Sequence, residues 1–375
     1  MTPGPTNIPP AVRRALARPA IHHRSEAFSP VLDQCIAGLR GVFRTNEPVL
    51  ILAGSGTAGM DASIAGAFSP GEKIITLEAG KFGRRWGEIA RVYGLEVISL
   101  EAPWGREIQP AEVEFTLAKN AGVKAVLATL CETSTGVLTD VAALGEIVAE
   151  TDALLVVDAV SGLAVDRLET EAWRVDIAVG ASQKGLMLPP GLAFVSLSEK
   201  ARDRVAASRC PSYYLSLRRA LEGFEARRPP FTPAVSLMQG LTVALDMILA
   251  EGLENVWERH RRLAGALRAA GEALGLQPLA SVPASAVTAL SLPDRLAASR
   301  IIDVLRREHG LVIANGQEHL RDRIIRIAAM GWVKAGDVLR TVEALEDVLS
   351  RSDWTPGPPG GAVAAAREAL AARPS

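Results

Sequence analysis

Leu154-Leu155-Val156-Val157-Asp158-Ala159-Val160-Ser161-Gly162 and Asp176-Ile177-Ala178-Val179-Gly180-Ala181-Ser182-Gln183-Lys184-Gly185 decide how this chain is read. Each holds a short apolar run, the length of a buried strand rather than of a helix. The first run ends in a carboxylate, Asp158. The second leads into a lysine, Lys184, ahead of the turn Pro189-Pro190-Gly191. Five more apolar runs, at 49–53, 73–77, 95–100, 124–130 and 192–197, complete a set of strands from about residue 30 to 200. Between them, 60–68, 84–93, 110–120 and 141–150 carry apolar residues at helical spacing. Strands alternating with helices predict an α/β fold, a mostly parallel sheet covered on both faces. Ligands of such sheets bind beyond the carboxyl ends of the strands, so Asp158 and Lys184 converge on one crevice.

An acid at one strand end and a lysine just past another are the two groups that pyridoxal phosphate needs. The carboxylate keeps the pyridine nitrogen protonated, and the amine engages the aldehyde. Seven lysines occur against 34 arginines, so rivals to Lys184 are few. Only Lys81, in the turn after Leu77-Glu78, also lies near the carboxyl end of a strand. The first strand runs into Gly54-Ser55-Gly56-Thr57-Ala58-Gly59, a G-x-G-x-x-G loop before a helix, with Glu78 at the end of the next strand. That is the context of a dinucleotide site, and a nicotinamide cofactor stays open on this motif alone. Physically the loop is an anion site, where glycines permit close approach and helix amides face a phosphate. The hydroxyls of Ser55 and Thr57 suit a terminal monoester, and Asp158 with Lys184 tips the choice towards pyridoxal phosphate.

The chain is long enough for one large domain and a smaller one. Hydrophobic residues make up 48% and charged residues 22%, with a net charge of −1, so no field favours nucleic acid or anionic lipid. Cys35, Cys131 and Cys210 form no close pair and no metal-ligand spacing, which suits a reducing compartment. Met1-Thr2-Pro3-Gly4-Pro5-Thr6 contains no apolar signal core and no stretch is long enough to span a membrane, so a cytoplasmic location is expected. A nearly unbroken helical region over 233–274 leads to a second, α+β unit, with strands at 286–292, 311–315 and 324–328 and helices at 297–308 and 335–350. The expected division is an amino-terminal arm (1–20), a large cofactor-binding domain (21–250), a small domain (251–351) and a flexible tail (352–375). The tail opens with Thr355-Pro356-Gly357-Pro358-Pro359-Gly360-Gly361 and continues Ala-rich, as a linker with a marginal helix.

A series of short motifs then resembles the class V (fold type I) aminotransferases of the alanine–glyoxylate and serine–pyruvate group. They are Pro3-Gly4-Pro5-Thr6-Asn7, Gly54-Ser55-Gly56-Thr57, Glu132-Thr133-Ser134-Thr135-Gly136, Asp158-Ala159-Val160-Ser161, Ser182-Gln183-Lys184, Thr232-Pro233-Ala234 and Arg326-Ile327. The resemblance covers roughly residues 2–350 and implies a seven-stranded, mostly parallel large domain with pyridoxal 5'-phosphate bound between two subunits of a homodimer. It implies that Ser55, Gly56, Thr57 and Gln183 bind the phosphate, that Phe82 and Val160 pack on opposite faces of the ring, and that Thr133 meets the ring's 3-oxygen. Asp158 would hold the ring nitrogen and Lys184 the aldehyde. Thr232 would reach the partner subunit's phosphate. Arg326 would grip the substrate carboxylate bidentately, with Gly4 beside the substrate. The implied reaction moves an amino group from a small amino acid, alanine or serine, to glyoxylate or pyruvate. Aspartate, phosphoserine or pyridoxamine are alternative donors. A cysteine desulfurase would need a nucleophilic cysteine in the small domain, where this chain has none. Three positions depart from the family. Pro229 stands where many relatives have tyrosine, Ala328 where many have glycine, and Asn315-Gly316-Gln317 replaces a more glycine-rich turn. His22-His23-Arg24 reads as a solvated basic turn, with the substrate mouth as its alternative.

Overall fold

The structure, a computed structural model, describes residues 1–352, 354 and 357–372. Among these the strands are β1 (Val49–Gly54), β2 (Lys73–Glu78), β3 (Glu96–Glu101), β4 (Ala125–Thr129), β5 (Cys131–Glu132), β6 (Val137–Leu138), β7 (Leu154–Asp158), β8 (Ile177–Ala181), β9 (Gly191–Leu197), β10 (Gln277–Pro278), β11 (Val287–Ser291), β12 (Ala314–Asn315) and β13 (Ile324–Ala328). The helices are α1 (Pro10–Leu16), α2 (Ser29–Phe43), α3 (Gly56–Ala67), α4 (Lys81–Val92), α5 (Pro110–Lys119), α6 (Val141–Ala149), α7 (Glu199–Ala207), α8 (Leu217–Glu225), α9 (Val235–Glu251), α10 (Leu253–Ala273), α11 (Ala298–His309), α12 (Ala335–Ser350) and α13 (Gly361–Ala371).

Seven strands form one sheet in the order β1-β9-β8-β7-β4-β2-β3. The pairs among β3, β2, β4, β7 and β8 are parallel. Only β9 runs against both of its neighbours, β8 and β1. The reversal follows from the short 182–190 connection, because a parallel return needs a crossover of about a dozen residues or more. Every residue of β4, β7 and β8 is buried, as expected of strands covered on both faces. Phe43, Leu39 and Leu245 from α2 and α9 fill one face. Met60, Ile64, Trp86 and Leu217 from α3, α4 and α8 fill the other.

The second sheet, β10-β11-β13-β12, is wholly antiparallel and packs its apolar residues against α10, α11 and α12. The helical region expected to run nearly unbroken turns through 85° at Gly252, whose φ of +84° suits glycine. His260 of α10 is fully buried, with its Nδ1 at 2.8 Å from the Val256 carbonyl. Its Nε2 accepts from the Gly331 amide at 3.0 Å, so the ring is neutral with its proton on Nδ1 and pins α10 to the loop after β13. Among the described residues, no single helix is long and apolar enough to cross a membrane.

The expectation of a flexible tail is corrected over 357–372, where α13 docks on the second unit. Its Ala362 and Ala366 are buried, and Val363, Ala369 and Leu370 pack beside them. Apolar residues at that spacing make one stripe, and alanines let two helices approach closely. Trp354 adds a hydrogen bond from Nε1 to the Leu274 carbonyl at 2.8 Å.

Candidate active site

The parallel strands deliver their carboxyl ends to one cavity of about 300 Å³. Ten of the twelve site residues singled out from the sequence line it: Gly4, Ser55, Gly56, Thr57, Phe82, Thr133, Asp158, Val160, Gln183 and Lys184. Thr232 and Arg326 do not. Thr232 lies in a separate cleft with Tyr214, Pro229 and Phe231, beside the edge strand β1. His23 and Arg24 line another cavity with Arg219, Arg227 and Arg228, so the basic turn does not reach this one.

At one end of the cavity, Ser55 precedes the first residue of α3. The opening amides of a helix lack intrahelical partners and suit an anion. A Cβ on Gly56 would stand 2.5 Å from Val160 Cγ2, so only glycine lets the loop and Val160 meet. Gln183 contributes a buried Oε1 with no hydrogen-bond partner. Arg85, not singled out from the sequence, also lines the cavity and donates from Nη1 to Thr57 Oγ1 at 3.1 Å. Its signal was available, since Arg85 follows Phe82 by three residues and so shares its face of α4.

Deeper in, Asp158 Oδ1 accepts from the Val160 amide at 2.8 Å, while the Thr133 and Ser161 hydroxyls share a 2.6 Å hydrogen bond. Burial pushes the Asp158 carboxyl up to about 6, partly offset by the Val160 amide. Burial also lowers the Lys184 amine to about 8. Lys184 Nζ donates to the Pro3 carbonyl, and a Cβ on Gly4 would fall 2.8 Å from the lysine's Cδ and Cε. Thr6 anchors this strap, with its hydroxyl donating to the Lys184 carbonyl at 2.9 Å and its amide to the Gln183 carbonyl at 3.1 Å.

Arg326 sits on β13, buried, and donates from Nε to the Asn315 carbonyl at 2.8 Å and from Nη1 to the Thr133 carbonyl at 2.9 Å. Both partners are neutral, and Arg326 makes no ion pair among the described residues.

Two rival readings lose their residues here. Lys81 is part-exposed, stands 4.0 Å from Glu318 and does not line the cavity. Glu78, the acid a dinucleotide ribose would need, is buried in the sheet and already accepts from Thr76 and Ser99 hydroxyls at 2.9 and 2.8 Å.

The residues fit pyridoxal phosphate on the structure's own terms. An anion cradle at the amino end of α3, kept open by Gly56, an aromatic face, a desolvated acid and a desolvated lysine meet in one cavity. A seven-stranded sheet with this topology and a smaller antiparallel unit define the fold type I aminotransferases. The model of the class-V aminotransferase family matches residues 10–339, and the chain belongs to that family. It is an aminotransferase. The chain is 40% identical to a "Soluble hydrogenase, small subunit" of a Synechococcus species, over 99% of this chain and 97% of the other. It is 36% identical to the L-aspartate–glyoxylate aminotransferase of Paracoccus denitrificans, over 98% and 94%. The crystal structure of ureidoglycine–glyoxylate aminotransferase from Bacillus subtilis superposes with a TM-score of 0.94 at 31% identity, covering 98% and 97%.

Proposed function

We propose that this aminotransferase uses pyridoxal 5'-phosphate to move an amino group from a small amino acid, alanine or serine, to glyoxylate. The observation that carries the reading is the buried Asp158 and Lys184 in one cavity with an anion cradle. Glyoxylate as acceptor is supported by the two relatives named for it, whose amino donors differ. When bound, the cofactor supplies an aldehyde for the amine and a ring that takes up electrons from the carbon losing its proton.

Lys184 is then the proton carrier. A buried amine near 8 is neutral more often at physiological pH than a free lysine, which lets Nζ take a proton and return it. Asp158 holds a proton at the ring nitrogen and stabilises the positive charge there. Phe82 and Val160 fix the ring plane between them. Ser55, Gly56, Thr57 and Gln183 hold the phosphate. Thr133 orients the ring's 3-oxygen and, through its own carbonyl, keeps Arg326 in place. Arg326 binds the substrate carboxylate with the donors its two carbonyl partners leave free, and Gly4 lets the 3–6 strap lie close over the amine.

The active unit is a homodimer in this reading, with Thr232 serving the partner's cofactor. Its place in a cleft away from its own chain's cavity supports that role. Three free cysteines, two of them buried, support a cytoplasmic location.

The test loads the purified protein with pyridoxal phosphate and offers amino acids one at a time. Alanine or serine should change the bound cofactor's visible absorbance, and glyoxylate should reverse the change with ping-pong kinetics. No response to any amino acid would sink the reading. Arg326→Ala should leave cofactor binding intact and raise KM for donor and acceptor together by roughly 30-fold or more, the scale of leaving one side of a charged pair unmatched. Unchanged KM for both would assign the carboxylate site elsewhere.

A further inference from the structure

Two neighbouring arginines on α4 meet different fates. Arg84 Nη1 donates to Glu318 Oε2 at 2.9 Å, so its charge is balanced by an acid of the second unit. Arg85 lies about 100° further round the helix and turns to the cavity instead. Its guanidinium lies 4.7 Å from the centre of the Phe82 ring, and Nη1 reaches the Thr57 hydroxyl at 3.1 Å. It makes no ion pair among the described residues, and that single side-chain hydrogen bond leaves most of its five donors free. Arg85 lines the cavity, so those donors are available to an anion bound there.

The location specifies the ligand. Thr57 is the second residue of α3, whose opening amides face the same space. The cavity also holds Lys184, whose amine is pushed down by burial and further by the charges of Arg326 and Arg85. Cations gathered around a helix amino end are balanced by a dianion better than by a monocarboxylate.

We infer that Arg85 is a ligand of the cofactor's phosphate, gripping it together with the amino end of α3 and the Thr57 hydroxyl. The inference rests on the proposed pyridoxal phosphate site and adds a residue to it. Arg85 keeps its stacking on Phe82, so one side chain couples the phosphate to the aromatic face that positions the ring. The Thr57 hydroxyl accepts from Arg85 and remains free to donate its own proton to a phosphate oxygen.

The decisive comparison is pyridoxal phosphate against pyridoxal, which carries the same ring and aldehyde and lacks the phosphate. Apoprotein of wild type, Arg85→Gln and Arg85→Lys is titrated with each and followed by quenching of tryptophan fluorescence. Arg85→Gln should weaken pyridoxal phosphate by about 10- to 100-fold, the scale of losing a hydrogen bond from a charged group, and leave pyridoxal unchanged. Arg85→Lys should recover part of the loss, because it keeps the charge and gives up the fork geometry. Inorganic phosphate should compete with pyridoxal phosphate on wild type and less well on Arg85→Gln.

Equal loss of both ligands would show that Arg85 only supports the fold. Undiminished affinity for pyridoxal phosphate, with a raised KM for a dicarboxylic amino donor, would assign Arg85 to the substrate side chain. Either result overturns the inference while leaving the proposed function standing. Wild type that binds neither ligand would overturn both.

Discussion

Two buried carboxylates stand close together at the carboxyl end of the large sheet, and the regions around them are built on opposite terms. Glu132, on β5, is saturated. Its Oε2 accepts from the Phe82 and Gly83 amides at 3.0 and 2.9 Å, and its Oε1 from the Ser134 amide at 3.0 Å and from the Ser134 hydroxyl. It caps the start of α4 and fixes where Phe82 stands. Asp158, at the end of β7, accepts from one backbone amide and turns its remaining capacity to the cavity. Burial raises the pKa of both acids. The contrast teaches how to tell a structural acid from a working one: a carboxylate whose acceptor sites are filled by the protein organises the fold, and one left open serves a ligand.

The strongest test of this contrast replaces the open acid. Asp158→Asn keeps an Oδ1 to accept from Val160, so the fold should survive. It removes the charge proposed to hold the ring nitrogen's proton, and turnover should fall by about 10²-fold or more, the scale of losing one positioned electrostatic group. The same carboxyl should set an acid limit on cofactor capture, since in the apoprotein Asp158 takes up a proton as pH falls through about 6, and affinity for pyridoxal phosphate should weaken there. Near-normal turnover in Asp158→Asn would break the comparison.

The saturated acid should answer in the other currency. Glu132→Gln puts an amide NH₂ where two donors now point, leaving buried N–H groups unmatched at a cost of about 1–3 kcal/mol. The midpoint of urea denaturation should fall accordingly. Molecules still folded should keep turnover within a few-fold of wild type, because both Glu132 oxygens are taken by protein donors. A collapse of turnover without loss of stability would move Glu132 into the working class.

The sequence alone carried the open acid and not the saturated one's purpose. Asp158 and Lys184 stood out because polar groups ending apolar runs are informative, and all seven strands of the large sheet were placed within a few residues. What escaped depended on long-range packing. The apolar pattern of β9 does not mark it as the antiparallel strand; its direction follows from a turn too short for a crossover. The helical spacing from Phe82 puts Arg85 on the same face of α4, but its contact with Thr57, 28 positions away, exists only in the fold. The 311–315 run formed a strand only at Ala314–Asn315, where β13 offers a partner. Residues 361–371 promised a marginal helix, and α10 supplies the apolar surface that their own composition cannot. The resemblance to a family named Arg326 and Thr232. Physical chemistry added that Arg326 is held by neutral carbonyls and that Thr232 stands in another cleft.

A smaller effect sharpens the comparison from the lysine side. If the cavity is built for a ligand, its buried charges should cost the apoprotein stability, and removing one should help. Lys184 is the cleanest case, because burial lowers its amine to about 8 from an ordinary value of 10.5. Below about 8 the amine is charged in both folded and unfolded chains, so the folded state bears the full cost. As pH rises from about 8 to 10.5, the folded amine loses its proton first and the cost fades. Apo Lys184→Met should therefore be more stable than apo wild type at pH 7, by on the order of 1–3 kcal/mol after allowing for solvent at the partly exposed side chain. The gain should shrink as pH approaches 10.5, read as a converging difference in Tm. A variant less stable than wild type at pH 7 would mean that the bond from Nζ to the Pro3 carbonyl outweighs desolvation. The strap would then be a structural element of the apoprotein, and the amine would no longer count among the charges held open for a ligand.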